Sequence, residues 1–92
     1  MELFERDEIM YLINLGTIDN VKAFMNEVLK ISSMAVVRAQ KGKYVVDAKS
    51  IMGIFSLDLT QLLVLEVFGE EPEFIEKLKD MEILITELNK TN

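Results

Sequence analysis

Hydrophobic positions along this chain change period several times, and each change marks a predicted element. From Ile9 to Leu15 the run is short, apolar and rich in strand formers, so a first strand ending near Gly16 is expected. A helix follows, capped by Asp19 or Thr17, with Val21, Phe24, Met25, Val28 and Leu29 at spacings of three and four on one face. Met34 to Gln40 and Lys43 to Ala48 read as two strands of a hairpin, joined tightly at Lys41-Gly42, where glycine would supply a positive φ. Ser50 can cap a short helix running to about Leu57, and Leu62 to Phe68 is a fourth strand stopped by Gly69 and Glu70-Glu71-Pro72. Beyond Pro72, the spacing of Phe74, Leu78, Met81, Ile85 and Leu88 predicts one amphipathic helix that frays near Asn89.

The order is therefore βαββαβα, an α+β fold in which three helices cover one face of a four-stranded antiparallel sheet, an open-faced sandwich. The other sheet face should be polar, yet it is not. If Leu63, Leu65 and Val67 face the helices, then Leu62, Val64 and Phe68 point away with Glu66 the one charge among them, and Met34 and Val36 join them. Such a face suits a second copy of the chain, or the segment before Ile9, with Phe4 available to cover it. A moderately apolar sheet face with no partner is the alternative.

Length and composition narrow the chemistry. Ninety-two residues make one domain, half of them hydrophobic, with one proline. No cysteine and no histidine occur, which removes thiolate nucleophiles and makes a metal centre improbable, so neither metal nor cofactor is expected. Ten basic against sixteen acidic residues leave a net charge of −6, which opposes direct contact with nucleic acid or anionic lipid. No apolar run approaches the roughly 20 residues of a membrane helix, and the opening Met1-Glu2-Leu3-Phe4-Glu5 is acidic, so the chain reads as cytoplasmic. The carboxylates Glu66, Glu70, Glu71 and Glu73 read as solvated charge, no substrate pocket is legible, and an enzyme is not expected.

One stretch is more specific. Asp47-Ala48-Lys49-Ser50-Ile51-Met52-Gly53-Ile54-Phe55-Ser56-Leu57, followed by Leu63-Val64-Leu65-Glu66-Val67-Phe68-Gly69, resembles the regulatory-serine helix and next strand of HPr, the phosphocarrier of the sugar phosphotransferase system. The resemblance spans roughly residues 9–88 and implies an HPr-like domain over 9–90 behind an N-terminal extension, 1–8. It also implies that Ser50 is the serine phosphorylated by HPr kinase/phosphorylase. Ile51, Met52 and Phe55 would then form the surface on which that kinase, and a LacI-type catabolite-control repressor, dock.

The same resemblance exposes a loss. The family's phosphoryl-carrying histidine falls within Thr17-Ile18-Asp19, where Leu15-Gly16-Thr17-Ile18-Asp19-Asn20 replaces the Gly-Leu-His-x-Arg-Pro signature. Threonine would form a stable ester unsuited to relay; an aspartyl phosphate at Asp19 is labile, but no basic residue lies nearer than Lys22. Asp19 reads instead as a helix cap that fills the anion site from within. The family's arginine, which helps the repressor read phosphoserine, is missing as well. Three readings follow: a non-relaying regulatory or adaptor module similar to the catabolite-repression paralogue, a phosphocarrier with a non-histidine acceptor, and a degenerate copy acting by oligomerisation.

Overall fold

In the computed structural model, which describes residues 8–88, antiparallel pairing along the apolar runs sets the frame. Phe4, the other residues before Glu8, and the fraying point at Asn89 lie outside the described residues. Strands β1 (Glu8–Ile13), β2 (Met34–Ala39), β3 (Val45–Asp47) and β4 (Leu63–Phe68) alternate with helices α1 (Ile18–Val28) and α2 (Ile51–Phe55). Helix α3 (Pro72–Asp80) and a fifth strand, β5 (Leu84–Glu87), complete the chain. The sheet is five-stranded, in the order β3-β2-β4-β1-β5, with every neighbouring pair antiparallel.

The central pairings carry the core. Leu63, Leu65 and Val67 stand opposite Ala39, Val37 and Ala35 on one side, and Ile13, Tyr11 and Ile9 on the other. Residues paired across strands share a face, and this face is the one the helices cover. Helix α1 buries Val21, Phe24, Met25 and Val28, each contributing about 1.5–3 kcal/mol of apolar transfer, as the threes-and-fours spacing anticipates. Leu29 differs: it is the C-cap of α1 and is exposed. Phe24 meets Phe74 of α3 with ring centroids 6.2 Å apart at 55°, the tilted arrangement aromatic pairs prefer.

Three expectations are corrected. The long C-terminal helix stops at Asp80 and the sheet has five strands rather than four, because Glu82 adopts φ 60. The amide of Ile83 then donates to Leu78 O at 2.9 Å and that of Glu82 to Lys79 O at 3.0 Å, a Schellman closure that turns the chain back along β1. Ile83 is fully buried, while Ile85 and Leu88, placed on a helix stripe by their spacing, are exposed on the added edge. The hairpin is looser than expected, since residues 40–44 separate its strands and the one glycine with positive φ is Gly69, not Gly42. Thr17 rather than Asp19 caps α1, its hydroxyl accepting from Asn20 N at 3.0 Å.

No helix among the described residues is long and apolar enough to cross a membrane. No group of three or more metal-ligating side chains gathers among them either.

Candidate functional site

Helix α2 is held at the β3 edge by a series of local bonds that begins before it. The Asp47 carboxylate accepts from Lys49 N at 2.9 Å, and Asp47 O accepts from Ser50 N at 3.0 Å, which turns the chain out of β3. Ser50 then takes the extended φ −104, ψ 111 of an N-cap, and its Oγ accepts from Gly53 N at 3.1 Å. The Lys49 ammonium donates to Ile31 O at 2.8 Å, tying the start of α2 to the loop that leaves α1. Behind the helix there is no spare room: a Cβ on Gly53 would come within 2.9 Å of Val46 Cβ, so the close seating on β3 requires glycine.

That seating decides what α2 presents outward. Ile54 alone is buried against the core. Ile51, Met52 and Phe55 are 43%, 76% and 42% exposed, an apolar surface immediately beside the Ser50 hydroxyl. Sequence spacing places Ile51 and Phe55 together but says nothing of Tyr44, which the hairpin loop brings to the far end of α2. Tyr44 donates its hydroxyl to Ser56 Oγ at 3.1 Å, since the Ser56 hydroxyl itself donates to Gly53 O at 2.6 Å. Its ring is largely exposed. The loop leaving α2 is closed by Asp58, whose carboxylate accepts from the Thr60 hydroxyl at 2.6 Å and amide at 3.1 Å; those two bonds hold the Asp58 carboxyl below its usual value.

The segment where the family's histidine would fall lies close by. The backbone of Gly16 packs against this second loop, an added Cβ standing 3.9 Å from Leu59 O. Thr17, Ile18 and Asp19 are all exposed there. Thr17 is committed to its cap, and Asp19 has neither hydrogen bond nor ion pair among the described residues. Among the described residues, nothing at this helix start neutralises a carboxylate that would have to accept a phosphoryl group.

The sheet face away from the helices carries Val64 opposite Leu12 and Arg38, Glu66 opposite Met10 and Val36, and Phe68 opposite Glu8 and Met34. It is less open than its sequence suggests. Met34 and Phe68 are exposed and Val36 half-buried, but Val64 is only 3% exposed and Leu62, just before β4, is half-buried. A charge pair sits in the middle of the face: Arg38 donates through Nε to Glu66 at 2.7 Å and through Nη1 to the carbonyls of Ala39 and Gln40. The apolar area is thus divided, with Met34 and Phe68 at one end.

Comparison with known proteins agrees with this geometry. No family model matches the chain, and no curated protein does. Among solved structures, HPr-C-His from Thermoanaerobacter tengcongensis matches with a TM-score of 0.61 and 32% sequence identity, over 83% of this chain and 90% of the other. With that identity extending over nine-tenths of an HPr, the chain belongs to the HPr family.

Proposed function

We propose that this protein is a non-relaying HPr that acts as a regulatory or adaptor module, phosphorylated on Ser50 by an HPr kinase/phosphorylase. The observation that carries the reading is the juxtaposition at α2: a serine hydroxyl at the N-cap with Ile51, Met52 and Phe55 exposed beside it. A kinase docking on those side chains would bring the γ-phosphoryl group of ATP to Ser50 Oγ. The O–P bond forms as the bond to ADP breaks, and the hydroxyl proton passes to a base of the kinase. The product adds about −1.5 to −2 charges to a surface whose apolar part is unchanged, so modification alters which partner binds rather than how the chain folds. A LacI-type repressor is the partner the family suggests, although the missing arginine removes one of its contacts to phosphoserine.

Relay through another residue has less behind it. Without histidine the chain lacks the imidazole that accepts and returns a phosphoryl group near neutral pH, and Thr17 and Asp19 have no charge-neutralising partner among the described residues.

The test is the kinetics of phosphorylation by an HPr kinase. Ser50→Ala is expected to take no phosphate. Met52→Asp, at a site 76% exposed, is expected to leave stability unchanged and lower kcat/KM by about tenfold or more, the range of a central interface residue. Unaltered kinetics in Met52→Asp would remove α2 as the docking surface, and phosphorylation of Ser50→Ala would remove Ser50 as the acceptor.

A further inference from the structure

At the other end of the sheet from α2, a cavity of about 300 Å³ opens between β1 and α3. Ile9, Tyr11 and Ile75 give it an apolar wall. Tyr11 is the unusual member. Only 6% of the residue is exposed, and its hydroxyl has no hydrogen-bond partner among the described residues. Burial first, and the carboxylate of Glu87 second, push its phenol above the usual value, so at neutral pH it offers an intact O–H and an acceptor lone pair.

The rim is acidic. Glu70, Glu71 and Glu76 line the opening against one lysine, Lys79, which lies 3.7 Å from Glu76. Glu71 gives one oxygen to the amide and hydroxyl of Ser33, and Glu70 is bonded to nothing among the described residues. Three carboxylates repel an anion even though the N-terminus of α3 begins here. These carboxylates are not gathered into a group that could hold a metal ion among the described residues. An apolar wall, an unpaired phenol and excess negative charge suit one chemistry, a cation carried on a short hydrocarbon body.

We propose that this cavity binds an organic cation, an alkylammonium or guanidinium group, with Tyr11 accepting from or stacking on it and Glu70 and Glu76 balancing its charge. The cation is either a free small molecule or the basic side chain of a protein partner. The site is independent of Ser50, so its failure would leave the reading of α2 untouched.

The experiment is an amide-shift NMR titration of the whole chain with n-pentylammonium, its uncharged counterpart pentan-1-ol, and the peptide acetyl-Leu-Arg-Leu amide. The ammonium is expected to give saturable shifts at Ile9, Tyr11, Glu70, Ile75 and Glu76, with a dissociation constant on the order of millimolar for so small a ligand. Tyr11→Phe and Glu70→Gln are each expected to weaken it by about threefold or more, and Tyr11→Phe to do so with no fall in unfolding midpoint, because the lost hydroxyl has no partner among the described residues. A peptide about tenfold tighter than the ammonium identifies a partner's basic side chain; equal or weaker peptide binding identifies a free amine. Equal binding of pentan-1-ol, shifts that spread over other carboxylates without saturating, or unchanged binding by Tyr11→Phe would overturn the proposal.

Discussion

Of the four glycines, Gly69 leaves the least room for a side chain, and the cost of substituting it follows from two contacts. The residue sits at φ +154, and a Cβ there would overlap Ser33 Oγ and approach Ser33 Cβ to 3.1 Å. That hydroxyl is not free to move, since it donates to Glu71 Oε2 at 2.6 Å while the Ser33 amide donates to the same oxygen at 3.1 Å. Gly69→Ala therefore incurs backbone strain of about 1–3 kcal/mol in a region that is nearly glycine-only. It also displaces a hydrogen bond to a charged group, worth about 1.5–3 kcal/mol. A total of roughly 3–5 kcal/mol is a large part of the 5–15 kcal/mol that holds an ordinary domain together. With a urea slope of about 1–2 kcal/mol/M, the midpoint should fall by about 1.5–5 M. Ser33→Ala provides the control. In that background Gly69→Ala should cost only the strain, so the two substitutions together should be less damaging than their sum by about 1.5–3 kcal/mol. Equal cost of Gly69→Ala in both backgrounds would show that the Ser33 hydroxyl is not what the new methyl displaces, and a cost under about 1 kcal/mol would refute the strain itself.

Other outcomes can be stated as firmly. Glu82→Gly should stabilise by about 0.5–1 kcal/mol, the left-handed penalty relieved less the entropy of glycine, and raise Tm by about 2–6 °C; no rise would contradict the closure described for α3. Gly53→Ala gains about 1 kcal/mol of helix propensity but sets a methyl 2.9 Å from Val46 Cβ, so a net loss of about 1 kcal/mol is expected by chemical denaturation. Tyr11 has its phenol raised above 10.0 by burial and by Glu87, so the unfolded chain releases this proton first as pH climbs. Its contribution to stability is complete below pH 10.0 and is lost as pH rises through the folded value, and the wild-type decline above that point should exceed that of Tyr11→Phe in paired denaturation curves.

How much of this was legible in the sequence depended on whether one residue or a pattern carried the signal. The stripe Val21-Phe24-Met25-Val28 reports α1 because a helix on a sheet must repeat its apolar positions, and the Ser50 cap is legible because an N-cap hydroxyl acts locally. The end of α3 was not, because Glu82 does what glycine usually does, while Met81, Ile85 and Leu88 continue a helical spacing by coincidence. At Gly69 the sequence signals a strand stop but not the close approach of Ser33, a contact made across the fold. At the candidate site, the exposed α2 side chains were foreseen through the family resemblance. Tyr44 was not, as its link to Ser56 depends on a loop longer than the expected turn. The Tyr11 hydroxyl, without a partner among the described residues, left no trace in a strand that reads simply as apolar.

The most direct test of the account is intact mass after two parallel incubations, one with an HPr kinase and ATP and one with enzyme I and phosphoenolpyruvate, each run beside a histidine-bearing HPr. A chain that keeps the family's α2 but has no histidine should gain one phosphate from the kinase, lose that gain in Ser50→Ala, and gain none from enzyme I. A phosphate accepted from enzyme I, or none accepted from a kinase that modifies the companion HPr, would contradict it.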